Sequence, residues 1–243
     1  MFDALEAEQD QLAVALASFT EAQWHSASGC PGWRVVDVVL HLAQTEELVM
    51  RSVRGDEWPA AGRLAGETAD EAAARWVAAE PECEASAVFE RWNSARRDAA
   101  KLLRSAAPDR AVPWIATALK PRTLATTRLS EHWIHALDIL VPLGMGYPET
   151  ERLWHAAWLA HRTIPYAFQR ASAGDPPGVR LELRSPGAAV WEFGPHAADC
   201  RITGAAAEFC RVAARRKDAG EAVSLQLEGD RARVVLELVR LYA

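Results

Sequence analysis

The chain has no cysteine pair close enough to make a zinc knuckle or a redox dithiol. Its four cysteines, Cys30, Cys83, Cys200 and Cys210, are scattered, and none forms a CxxC motif. No uninterrupted apolar run is long enough to span a bilayer, so no membrane partner is expected. The acidic start, Met1-Phe2-Asp3-Ala4-Leu5-Glu6, has no signal-peptide pattern. A cytoplasmic location with free thiols is therefore expected. There is no excess of positive charge: the formal net charge is -6, which argues against sequence-independent nucleic-acid binding. Internal repeats and low-complexity tracts are also missing. What remains is 243 residues of ordinary globular composition, enough for one large domain or two modest ones.

Hydrophobic periodicity predicts helices over 3–19, 20–24, 35–54, 68–79, 82–106, 123–143 and 149–171. Cys30-Pro31-Gly32-Trp33 reads as a turn, and Asp56–Gly66, with Pro59 and Gly62, as a loop. The pattern changes after the Gly-Pro-rich 173–178. Residues 179–184 and 189–193 alternate with period two and read as a hairpin. A helix over 203–217, a strand over 223–227 and a closing helix over 230–242 complete the chain. The expectation is an α+β protein with two domains: a helical bundle over 1–172 and a small α/β domain over 173–243, joined around 172–177.

The chemistry-bearing stretch is Arg128-Leu129-Ser130-Glu131-His132-Trp133-Ile134-His135-Ala136-Leu137-Asp138. At about 100° per residue, Glu131 and His135 share a helix face. Apolar neighbours make an unpaired carboxylate there costly, so Glu131 needs a cationic partner. A metal ion shared with His135 is one answer, and Arg128, one turn earlier, is the other. His41, between Leu40 and Leu42, is the best third ligand, although alone such a residue is more often a hydrogen-bonded structural histidine. His132 is rotated away from Glu131 and ranks below His135. Asp138 stands three positions after His135, where it can orient the imidazole. Two histidines and a carboxylate suit Zn2+, with Ni2+, Co2+ or Fe2+ as other choices, and leave a coordination position open. Cys210 reads as core. Cys30 is more accessible, but no histidine or other base stands beside it in sequence.

At these residues the chain resembles the mycothiol-dependent maleylpyruvate isomerase family of the DinB-like metal-binding superfamily. The resemblance rests on Pro31-Gly32-Trp33-Arg34-Val35-Val36-Asp37 through His41-Leu42, on Val112-Pro113-Trp114 through Asp138, and on Trp191–Pro195, Arg201–Gly204, Phe209-Cys210 and Arg215-Arg216. It implies a DinB-like four-helix bundle followed by a domain similar to sterol carrier protein. It implies His41, Glu131 and His135 as metal ligands, and mycothiol or a similar thiol as cosubstrate. In the family's isomerases a thiolate adds to a conjugated cis double bond, the resulting single bond rotates, and elimination gives the trans isomer. Related members are S-transferases.

The expected function is thus a metal-dependent, thiol-activating isomerase or S-transferase acting on a small electrophilic molecule, as a monomer or homodimer. Trp114 and Arg128 are read as lining the cleft, Trp114 equally as bundle core. Arg215 and Arg216 are candidates for a catalytic arginine, or otherwise cap a helix C-terminus. Three other readings stay open: metal-bound water driving hydrolysis or a lyase step, a biosynthetic enzyme on the same scaffold, and a non-catalytic module binding metal or an apolar ligand.

Overall fold

The computed structural model describes residues 1–57, 67–80 and 84–241. Most of the predicted 56–66 loop, the first two residues of the predicted 82–106 helix, with Cys83, and Tyr242 lie outside the described residues. The chain divides into two compact units, one ending at Tyr147 and one starting at Pro148.

The first unit is a helical bundle. Its long members are α1 (Phe2–Leu16), α3 (Val35–Arg54), α5 (Ala85–Ser105) and α6 (Pro121–Leu140), with short α2 (Glu21–Trp24) and α4 (Ala69–Ala78) between them. Helix α1 packs on α5 and α6, and α3 packs on the same two, which closes the bundle. Leu5, Val49, Val53, Ala99, Leu103, Leu124 and Leu129 meet in its core. The ends of the two helices that matter most are locally encoded. At the start of α3, Asp37 accepts the backbone N–H of Arg34 at 2.8 Å, and its charge suits the helix N-terminus. At the start of α6, Pro121 occupies a first-turn position where its missing N–H costs nothing.

The second unit is mixed. Helices α7 (Leu153–Arg162) and α8 (Ile164–Arg170) precede strands β1 (Val179–Arg184), β2 (Val190–Phe193) and β3 (Cys200–Ala205). Helix α9 (Ala206–Ala213), strand β4 (Gln226–Glu228) and helix α10 (Ala232–Leu238) follow. The sheet order is β2-β1-β3-β4. Strand β1 pairs antiparallel with β2 (Leu183 opposite Trp191) and parallel with β3 (Leu181 opposite Ile202). Arg180 excepted, the buried residues Leu181, Leu183, Trp191, Phe193, Cys200 and Ile202 alternate with more exposed ones, as a sheet with one covered face requires.

Three expectations change. The chain divides at Tyr147 and Pro148, not around 172–177, because α7 packs on α9 and β2 and so groups with the sheet. The helix expected over 149–171 is two helices. Pro165 lies in the first turn of α8, where its ring cannot continue α7. The helix expected over 203–217 starts later, because 200–205 is strand β3.

Candidate metal centre

The turn before α3 is built by its own sequence. Pro31 and Gly32 hold the two central positions between Cys30 and Trp33, and the Trp33 N–H donates to the Cys30 carbonyl at 3.0 Å. Gly32 has φ +80°, the backbone a type II turn needs at that place. A bridge between Ala27 and Arg34 closes the turn from outside. The turn therefore delivers α3 with His41 facing the bundle interior, where its ring lies 5.3 Å from that of Trp33.

Ligand atoms of His41, Glu131 and His135 all lie within 4.8 Å of one another. His41 Nε2 is 2.9 Å from Glu131 Oε1, a hydrogen-bond contact a few tenths of an ångström shorter than the roughly 3.3 Å that two donors on one tetrahedral ion keep. The two histidine rings meet edge to face at 5.1 Å. The side chains keep 10%, 28% and 12% of their surfaces accessible, so the cluster is deep without being sealed.

His135 Nδ1 faces Asp138 Oδ2 at 3.0 Å, which leaves Nε2 as the nitrogen that can bind a metal. Asp138 is itself buried. His41 lacks such a support: its Nδ1 is buried without a hydrogen-bond partner. Burial pushes the His41 imidazole below its usual range, opposed by Glu131, and so favours the neutral ring that a metal ligand must be.

Arg128 does not line an accessible cleft. It is fully buried and holds two carboxylates. Its Nη1 donates to Glu131 Oε2, its Nε to Glu46 Oε1 at 3.0 Å, and its Nη2 to Thr45 Oγ1 at 2.8 Å. Burial works against ionisation of Glu131, but Arg128 and His41 outweigh it and hold that carboxyl well below the usual range. Arg128 thus pairs with Glu131 while the other carboxylate oxygen still faces His41. Two neutral imidazole donors and one ionised carboxylate form a set that fits a borderline divalent ion such as zinc.

His132 points into the bundle instead. Its Nδ1 lies 2.8 Å from the Arg128 carbonyl, and the Trp92 indole N–H donates to its Nε2 at 3.1 Å. An indole N–H only donates and a carbonyl only accepts, so His132 is the neutral Nδ1–H tautomer. Burial drives its pKa down to about 3.

The remaining expected residues fall elsewhere. Trp114 is half-buried against the bundle core, and the Arg128 guanidinium lies 5.8 Å from its ring centre. Arg215 donates to the carbonyls of Glu237 and Leu238, and Arg216 to that of Ala214, so both serve helix ends in the second unit. Cys210 is buried.

Two contributors escape sequence reasoning. Glu46 is fully buried, accepts from Gln9 at 3.3 Å besides Arg128, and has an Oε2 with no hydrogen-bond partner. Its place among Leu42, Ala43, Leu48 and Val49 on an apolar helix was the available signal. Cys30 is the other. It does have a base beside it in space: its Sγ is 3.2 Å from Asp138 Oδ2 and 3.8 Å from His135 Nδ1, and the three also form a metal-compatible group.

A family model described as the mycothiol maleylpyruvate isomerase N-terminal domain matches residues 5–140. Two uncharacterized proteins of Mycobacterium tuberculosis, from strains CDC 1551 / Oshkosh and H37Rv, are each 30% identical over 220 residues, covering 88% of this chain and 84% of their own length. Among solved structures, the crystal structure of the mycothiol-dependent maleylpyruvate isomerase aligns with TM-score 0.60 at 18% identity. A histidine-to-alanine mutant of that enzyme aligns with TM-score 0.61 at 17% identity. Each alignment covers 93% of this chain and 91% of the other. At that identity the two structures establish a shared fold.

Proposed function

The chain belongs to the mycothiol maleylpyruvate isomerase family, and on that premise we propose that it is a metal-dependent enzyme using a low-molecular-weight thiol of the mycothiol type. Its reaction is isomerisation of, or S-transfer to, a small electrophilic substrate. The observation that carries this reading is the meeting of His41, Glu131 and His135 within 4.8 Å. A divalent cation, zinc by donor chemistry, would supply Lewis acidity that favours the thiolate over the thiol at neutral pH.

The chain's own residues prepare that chemistry. Arg128 keeps Glu131 ionised and aims one oxygen away from the centre, so the other stays available beside His41. Asp138 fixes the ring of His135. Three protein ligands leave room for the sulfur. For an isomerase the balance closes without a further reagent. The thiolate adds to a conjugated cis double bond to give an enolate, the carbon–carbon single bond rotates, and elimination expels the thiolate as the double bond reforms. S-transfer would end when the adduct carbon takes the proton that the thiol gave up, or when a leaving group departs from the substrate with its electron pair.

The test is metal content in the wild type and in His41→Ala, Glu131→Ala and His135→Ala. One equivalent in the wild type and loss in each variant is the expected result. Stoichiometric metal in all three variants would sink the site. The thiol is tested on the metal-loaded protein: at about a hundredfold its dissociation constant it should add about 2.7 kcal/mol of stability. No shift in the melting temperature with mycothiol, cysteine or glutathione would remove the thiol from the reading.

A further inference from the structure

Cys30 lies 105 and 108 residues from His135 and Asp138 in sequence, yet its thiol donates to the same Asp138 oxygen, Oδ2, that faces His135 Nδ1. The contact is not a chance approach of a loose loop. Within the same turn, the Gly29 N–H donates to the Asp138 carbonyl at 2.7 Å, and the Cys30 N–H donates to Ser28 Oγ at 3.1 Å. At its far end, Trp33 packs against His41. The turn over 28–33 therefore touches α6 at Asp138 and α3 at His41, one helix for each side of the centre.

We infer that Cys30 is a positioning residue for the metal centre: its S–H fixes the Asp138 carboxylate that orients His135. The inference rests on the metal reading above and extends it outward by one residue. A carboxylate that accepts from a thiol on one side and an imidazole N–H on the other has its rotation fixed. Its charge is also shared between two donors, so it pulls on the His135 proton less strongly than a free carboxylate would. Cys30 thereby acts on both the direction and the donor strength of His135. His41, with no acceptor at Nδ1, has no equivalent support. Of the two histidines, His135 is thus the one whose second nitrogen is held from outside, as Arg128 holds Glu131. Outer partners of this kind commonly change metal affinity by about 10–100-fold.

The probe is Co2+, titrated into metal-free protein and followed by its visible d–d bands. Cys30→Ala is expected to weaken Co2+ binding about tenfold and to shift those bands, since the His135 ligand field changes. Cys30→Ser keeps an O–H donor and should restore most of both properties. In an Asp138→Ala background, Cys30→Ala should add almost nothing, because its route to the metal is already cut. Thermal unfolding of the metal-free variants separates an effect on the centre from a loss of fold.

Equal affinity and equal bands in wild type and Cys30→Ala would overturn the inference. So would an undiminished Cys30→Ala effect in the Asp138→Ala background. A sulfur-to-cobalt charge-transfer band in the wild type, absent from Cys30→Ser, would overturn it in another way, by making Cys30 a ligand. If Glu131→Ala and His135→Ala both keep native Co2+ binding, the metal reading itself falls and this inference falls with it. If they lose Co2+ while Cys30→Ala does not change it, only the role of Cys30 is wrong.

Discussion

Arg128 and Glu131 stand one turn apart on α6, and the guanidinium of the first donates to the carboxylate of the second. The same guanidinium also binds Glu46 from α3, so a single buried cation ties together the two helices that carry the candidate ligands. Removing it leaves two carboxylates without their cation. Arg128→Met should destabilise the protein by about 3–5 kcal/mol, as loss of one partner from a buried ion network does. Arg128→Lys should recover only part of this, because an ammonium cannot reproduce the fork that reaches Glu131, Glu46 and Thr45. Urea midpoints of the two variants, read with an unchanged m-value, check both statements. If Arg128→Met unfolds at the wild-type midpoint, the network contributes no net stability.

Trp92 and His132 make a second buried pair that a smaller change can probe. Trp92→Phe preserves an aromatic ring but removes the N–H that satisfies His132 Nε2. A buried acceptor left unpaired costs about 1–3 kcal/mol, and the loss of ring volume adds to it. His132→Ala in the same background should cost less than it does alone, because the pair is already broken. A double-mutant cycle on unfolding free energies gives the coupling directly, and a value of zero would mean that the hydrogen bond is energetically silent.

Acid should weaken the fold through the same histidine. In the unfolded chain His132 takes up a proton near its ordinary value of 6.5, and in the folded chain only near 3. Between those values the unfolded state binds the extra proton, so stability falls as pH falls and returns as it rises. His41, lowered by burial in the same direction, adds to the trend. Glu46, raised by burial, contributes oppositely: its share is present at low pH and lost as pH rises through its folded value. His132→Gln cannot titrate. Its unfolding free energy should decline less than that of the wild type between pH 7 and pH 5, measured on metal-free protein. Parallel declines would show that His132 is not the group responsible.

The bundle was legible because its signals are local. The residues of α3 repeat their apolar positions at helical spacing, and the Glu131–His135 spacing is itself a property of one helix. Strand β3 was not legible, since Cys200 and Ile202 alternate with polar neighbours for only a few residues before the apolar start of α9 absorbs them. Pro165 is a readable break within the expected 149–171 helix, since its ring cannot continue α7. Glu46 and Cys30 escaped for a different reason. Their roles come from partners on other elements, and no spacing within the chain encodes that Arg128 bridges to α3 or that the 28–33 turn lands on Asp138.

Gly29 offers the sharpest test of that landing. A Cβ placed there would sit 3.0 Å from Asp138 Oδ1, 3.1 Å from its Cα and 3.4 Å from its backbone oxygen. Two of these neighbours are main-chain atoms of α6, so the crowding cannot be relieved by turning a flexible side chain. Gly29→Ala must shift the turn from the helix by a few tenths of an ångström. That motion lengthens the Gly29–Asp138 backbone hydrogen bond and draws the Cys30 thiol away from the carboxylate. We expect a stability loss of about 1–3 kcal/mol from overpacking, together with weaker Co2+ binding. Ser28→Ala, which loosens the turn without adding bulk at the contact, should disturb the metal less. Thermal unfolding of metal-free protein and Co2+ titration, run side by side on the two variants, separate crowding from simple loosening. A Gly29→Ala variant that binds Co2+ as the wild type does would show that the centre tolerates displacement of the turn.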